Sequence, residues 1–166
     1  MILGLSVATF TVLHVTITLI GIVTGLIVVF AMVGGRMPAG WTALFLLTTV
    51  LTSISGFLFP ITKFTPALGT GIVSLIVLAF AIVALYGKHL AGPWRWVYVV
   101  TAIAALYLNV LVLIVQSFLK VPSLHVLAPH GNEPPFLIAQ TVALLFFVAL
   151  GIAALLRFRP VSLQTV

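Results

Sequence analysis

The chain has 166 residues, a formal net charge of +6, 63% hydrophobic residues and only 5% charged ones. Soluble domains carry about 25% charged residues, so a water-soluble globule is excluded, and disorder is excluded by the excess of apolar side chains. The composition predicts an integral membrane protein, and the lack of cysteine removes disulfides, thiol catalysis and zinc–thiolate or iron–sulfur sites.

A membrane span needs about 20 apolar residues. Turn residues and charges divide the chain into five such runs, predicted over about 3–33, 41–59, 68–87, 94–119 and 135–156. The first has no basic leader before it and is read as a retained helix, not a cleaved signal. It stops at Gly34-Gly35-Arg36-Met37-Pro38. The second stops at Pro60, the third at Lys88-His89, the fourth before Lys120 and Pro122, and the fifth before Arg157. All are predicted as helices, because a lipid-embedded backbone must satisfy its own hydrogen bonds. The expected architecture is all-α: a single domain, 1–166, of five transmembrane helices.

Charge then orients the bundle. Arg36, Lys88, Arg95, Arg157 and Arg159 fall on one side, and Lys63, Lys120 and the lone acid Glu133 on the other. The basic side is expected in the cytoplasm, with the C-terminus, and the N-terminus outside. Trp41, Trp94, Trp96, Tyr86 and Tyr98 fall on the basic side as an expected aromatic belt. The basic residues are spread over span ends, which argues for topology and against nucleic-acid binding.

Few side chains offer chemistry. His14 is the ionisable group well inside a span, and such groups are functional candidates. His14, Thr18, Gly21 and Gly25 share one helix face, with Gly21 and Gly25 at a spacing that permits close packing. His14 reads either as a neutral imidazole bonded to a neighbouring helix or as a haem ligand, quinone contact or proton relay. The fourth span carries a stripe of Tyr98, Thr101, Ala105, Asn109, Val112, Gln116 and Lys120. Interhelical hydrogen bonding is the preferred reading of that stripe, and a polar path to the surface at Lys120 the sharper one. Thr48, Thr49, Thr52, Ser53 and Ser55 could line a cavity with His14 or form a small-residue packing face, and Gln140 could join either. Hydroxyls here are expected to bond back to the helix backbone.

The outer loop holds His125, His130 and Glu133. These types can bind a divalent metal, but Pro129 and Gly131 break helical spacing, so the signal is weak and a solvated loop is the plainer reading. Glu133 is expected to pair with Lys63 or Lys120 and tie the loop to the bundle, and the Pro-rich loop is expected to form an ordered cap.

The run from Tyr107 to His125, followed by Glu133-Pro134-Pro135-Phe136 and Gln140, resembles small uncharacterised bacterial multi-spanning inner-membrane proteins. So do Gly40-Trp41-Thr42 and Gly56-Phe57-Leu58-Phe59-Pro60. The resemblance covers most of the chain. It implies a bacterial plasma (inner) membrane location and no particular activity or catalytic residue.

No catalytic motif is visible, so the expected function is that of a structural or accessory subunit of a membrane complex, or a self-associating bundle. A haem b- or quinone-binding redox protein using His14 is the alternative, and a small oligomeric channel or transporter the second alternative. No cofactor is expected under the first reading. The expected partners are the lipid bilayer and either further copies of the chain or a larger membrane complex.

Overall fold

The computed structural model describes residues 1–60 and 65–159, and among these it is all-helical. Five helices are long and apolar enough to cross a membrane: α1 (Val7–Val33), α2 (Ala39–Phe57), α3 (Pro66–Ile82, continued by a π turn over Val83–Gly87), α4 (Trp94–Lys120) and α6 (Pro134–Arg157). A one-turn helix, α5 (Pro122–His125), sits in the loop after α4. The chain runs up and down. One end, here the upper, carries the start of α1, Pro60, Lys120 and Glu133. The lower end carries Arg36, Trp41, Lys88, Arg95 and Arg157.

Local chemistry sets most helix ends. Ser6 caps α1, its hydroxyl accepting from Thr9 N–H at 3.1 Å. Residues 2–5 therefore lie in a tight turn before the helix, with Leu3 and Gly4 at positive φ, and α1 starts four residues later than its apolar run. At the other end of α1, Gly35 takes φ +74°. Gly35 N–H donates to Met32 O at 2.9 Å and Arg36 N–H to Ala31 O at 2.8 Å, which is a Schellman stop. Thr65 caps α3 through Leu68 N–H at 3.2 Å, with Pro66 in the first turn. Pro122 ends α4 and starts α5, a turn that the apolar periodicity did not predict. The second and fifth helices begin and end within two residues of their apolar runs.

Packing is unequal along the bundle. α1 lies along α2, α2 along α3 and α3 along α4, and α6 docks on α1 and α4. The lower half is close-packed. Val28, Val29 and Met32 of α1, Phe45 of α2, Ala81 and Ala84 at the end of α3, and Val99, Ala102 and Leu106 of α4 are all fully buried. A Cβ on Gly25 would stand 2.6 Å from Leu106 Cδ1 and 2.8 Å from the Phe45 ring, so only glycine lets α1 approach there.

Tyr98 corrects the aromatic belt. It is fully buried against Phe158, whereas Trp41, Tyr86 and Trp96 are exposed at the lower end as expected. The chain folds Phe158 back over α4, and this covers the ring. Arg95 fixes that fold-back, its Nη1 donating to Leu155 O at 3.2 Å and to Phe158 O.

Candidate functional site

Above the Gly25 contact the first four long helices part around a cavity of about 610 Å³. His14 and Thr18 of α1, Thr52, Ser53 and Gly56 of α2, Gly71 and Ser74 of α3, and Asn109, Gln116 and Lys120 of α4 all line it. The helices stay apart because these facing positions are small or polar. Small side chains leave the volume unfilled, and polar ones gain nothing from dense apolar contact.

Helix rise gives the depth. Asn109 lies eleven residues below Lys120, about 16 Å along α4. Lys120 is at the mouth, with Pro60 and Thr65, and Asn109 is at the floor beside Gly21. A Cβ on Gly21 would be 3.2 Å from Thr48 Oγ1 and 3.7 Å from Asn109 Nδ2. One turn lower the Gly25, Phe45 and Leu106 contact shuts the cavity. The space is a blind pocket open at the upper end.

The polar lining is ordered by hydrogen bonds. His14 Nδ1 lies 2.7 Å from Ser55 Oγ, and Ser55 Oγ donates to Thr52 O at 3.1 Å. The serine has one proton. With that proton on Thr52 O, Nδ1–H donates to Ser55 Oγ and both bonds form. His14 Nε2 is then the unprotonated acceptor. The imidazole also stands edge-on to Phe59, at 5.3 Å between ring centres. Thr18 Oγ1 donates to His14 O at 2.8 Å and is 3.3 Å from Thr52 Oγ1. Ser53 Oγ is 3.1 Å from Ser74 Oγ, joining α2 to α3. Thr48, Ser53 and Ser55 bond back to their own helix, as expected of hydroxyls here.

Asn109 is different. It is buried, with 6% of its surface exposed, and its Nδ2 has no partner among the described residues. The preferred expectation, interhelical hydrogen bonding along the α4 stripe, is therefore corrected at Asn109. Asn109, Gln116 and Lys120 line the cavity, with the apolar Val112 among them. Gln140 falls elsewhere: its Nε2 donates to Leu111 O at 3.3 Å and pins α6 to α4.

The outer-loop residues separate. His130 and Glu133 meet, but His125 turns away and bonds Phe118 O at 3.2 Å. Among the described residues no three His, Cys, Asp or Glu side chains gather as a metal site. Among the described residues Glu133 does not pair with Lys120. Its carboxylate accepts from His130 N–H at 3.0 Å, His130 Nδ1 at 2.9 Å and Asn132 N–H at 3.1 Å. Partners within three residues need little loop closure, so they win over a long exposed lysine. Lys63 lies outside the described residues. Desolvation pushes the Glu133 carboxyl up, but the bonds from His130, its own N–H and Asn132 outweigh it and hold the group at about 2.

The chemical repertoire of the cavity is narrow. Its described lining has an imidazole, hydroxyls, two amides and one ammonium, and no carboxylate. The His14–Ser55 pair has no acid to orient it, and the Ser55 proton is held by its own helix, so it lacks the third member that activates a nucleophile. His14 offers a bis-histidine haem one axial ligand. His125 and His130 stay in the loop and do not supply the second.

Sequence reasoning missed the α3 wall. Ala67, Thr70, Gly71 and Ser74 line the cavity and share one helix face. Their spacing was a usable signal, because a row of small residues in an otherwise bulky helix marks a face that does not pack against lipid.

No protein-family model, no curated protein and no solved structure matches this chain.

Proposed function

We propose that the protein is a multi-pass membrane protein of the bacterial plasma membrane, with its N-terminus outside and its C-terminus in the cytoplasm. It acts without a catalytic centre of its own, as an accessory subunit of a membrane complex or as a self-associating bundle. The observation that carries this reading is the surface of α6. Leu137, Ile138, Val142, Leu145, Val148, Ile152 and Leu156 are all exposed, so the helix presents an apolar face along its whole length. Such a face is stable only against lipid or another protein. Arg36, Lys88, Arg95 and Arg157 at the lower end support the orientation. The closed floor at Gly25 speaks against a pore through a single chain.

Two measurements test the reading. Native mass spectrometry after mild extraction from the membrane is expected to give a fixed complex, with copies of the chain or one stable partner. A bare monomer at every concentration would overturn it. A reporter fused after Val166 is expected to be reachable from the cytoplasmic side alone, and labelling from outside would reverse the topology.

A further inference from the structure

The cavity holds an imidazole and a buried amide at two depths. With Nδ1–H on Ser55, His14 Nε2 is an acceptor near the mouth, and the buried Asn109 side-chain amide lies at the floor. Between them stand Val15, Leu19, Leu108 and Val112, with the hydroxyls of Thr18 and Thr52 already paired to each other and to His14 O. A buried amide left unpaired is costly, so Asn109 is a poor residue for packing and a good one for a ligand.

The spacing selects the ligand. Asn109 Nδ2 is 3.7 Å from the Cβ position of Gly21, and Gly21 is seven residues below His14. The two polar groups are thus separated by on the order of 10 Å along the bundle. A six-membered ring with para oxygens, plus a hydrogen bond of about 2.8 Å at each end, spans about 11 Å. One end must donate, to His14 Nε2, and the other must hydrogen-bond the Asn109 amide, donating to Oδ1 or accepting from Nδ2. A hydroxyl does the first and either a hydroxyl or a carbonyl the second. The absence of carboxylates from the described lining gives a cationic ligand no counter-charge. An acyl chain entering tail-first would leave Asn109 unpaired.

We propose that this cavity binds a lipid-soluble quinol, ring inward, with one hydroxyl on His14 Nε2 and the opposite oxygen on the Asn109 side-chain amide. Its tail leaves through the mouth beside Lys120. This rests on the membrane placement proposed above and adds no reaction to it. The site holds the quinol, as a sensor or as the quinol-loading part of a larger complex would.

The full chain in phosphatidylcholine nanodiscs, incubated with decylubiquinol kept reduced, tests this. After desalting, bound quinol is measured against empty discs. One quinol per chain above background is expected. Asn109→Leu is expected to cut retention at least tenfold while holding or raising the melting temperature, because it replaces an unpaired amide with a carbon side chain. Gly56→Leu, which fills the cavity from α2, is expected to do the same to retention. Leu145→Ala, on the exposed face of α6, is expected to leave it unchanged. Equal retention by wild type, Asn109→Leu and Gly56→Leu overturns the proposal. So does a tightly held phospholipid or fatty acid that quinol does not displace. Reporter accessibility on the same sample separates the two readings. Failed quinol binding in a correctly oriented chain sinks the ligand alone, and a wrong orientation sinks the membrane reading.

Discussion

The upper and lower halves of the bundle are made by the same four helices and behave oppositely. Below Gly25 the helices close on Phe45 and Leu106 with no space for a methyl group. Above it they separate around about 610 Å³. Mean hydropathy does not reveal the difference, since each of the four helices is apolar enough to cross a membrane. What distinguishes them is the size and polarity of the residues at facing positions. A glycine against large side chains draws helices together, whereas hydroxyls and amides facing one another leave room. In an apolar bundle the place for a ligand is therefore written in its small and polar residues.

The sharpest way to break this contrast is to deny the lower half its close approach. Gly25→Val would place a branched carbon inside the Phe45 ring, and overpacking of this kind costs about 3 kcal/mol. A large fall in melting temperature is expected, with the helices forced apart. Arg95→Met is next. It removes the bonds to Leu155 O and Phe158 O and frees the fold-back over Tyr98. A loss of about 2 kcal/mol is expected, read in the same melting assay, together with faster proteolysis beyond Arg157.

The upper half should respond much less. A Cβ on Gly56 meets only His14 Cε1, at 3.9 Å, so Gly56→Ala is expected to be neutral or to gain up to about 1 kcal/mol from reduced backbone entropy. A loss as large as that of Gly25→Val would erase the distinction between the halves.

The smallest effect is confined to the loop above the cavity. Glu133 has a folded value of about 2, below its ordinary 4.5. Its stabilising bonds are fully present above 4.5 and are lost as pH falls through about 2. Amide exchange at His130 and Asn132, compared at equal intrinsic rate, is expected to be protected at pH 5 and to lose most of that protection by pH 1. Glu133→Gln should remove most of that difference.

Much of the fold was legible because the apolar runs are long and their stops are chemical: Gly35, Pro60, Pro122 and Pro134 end or begin helices as their backbones require. The site was half legible. His14, Thr18, Ser55, Asn109 and Gln116 stood out because polar groups are rare in such helices. What they do to one another was not visible, since the partner of His14 is 41 residues away and depends on how α1 and α2 are rotated. Asn109 was assigned a hydrogen bond on general grounds, and only the rotation of α4 shows its Nδ2 without one. Tyr98 was placed at the surface because the fold-back of Phe158 leaves no trace in hydropathy.

The position of α6 has a consequence for biosynthesis. The cavity is lined by α1 to α4 alone, and α6 buries little more than Phe147 and Ala154 within itself. All the residues that shape the pocket therefore leave the ribosome before the last helix does. The pocket can assemble while synthesis continues, and α6 closes over the outside of a finished structure. Substitutions along its outward face leave the cavity lining unchanged, because no α6 residue lines it.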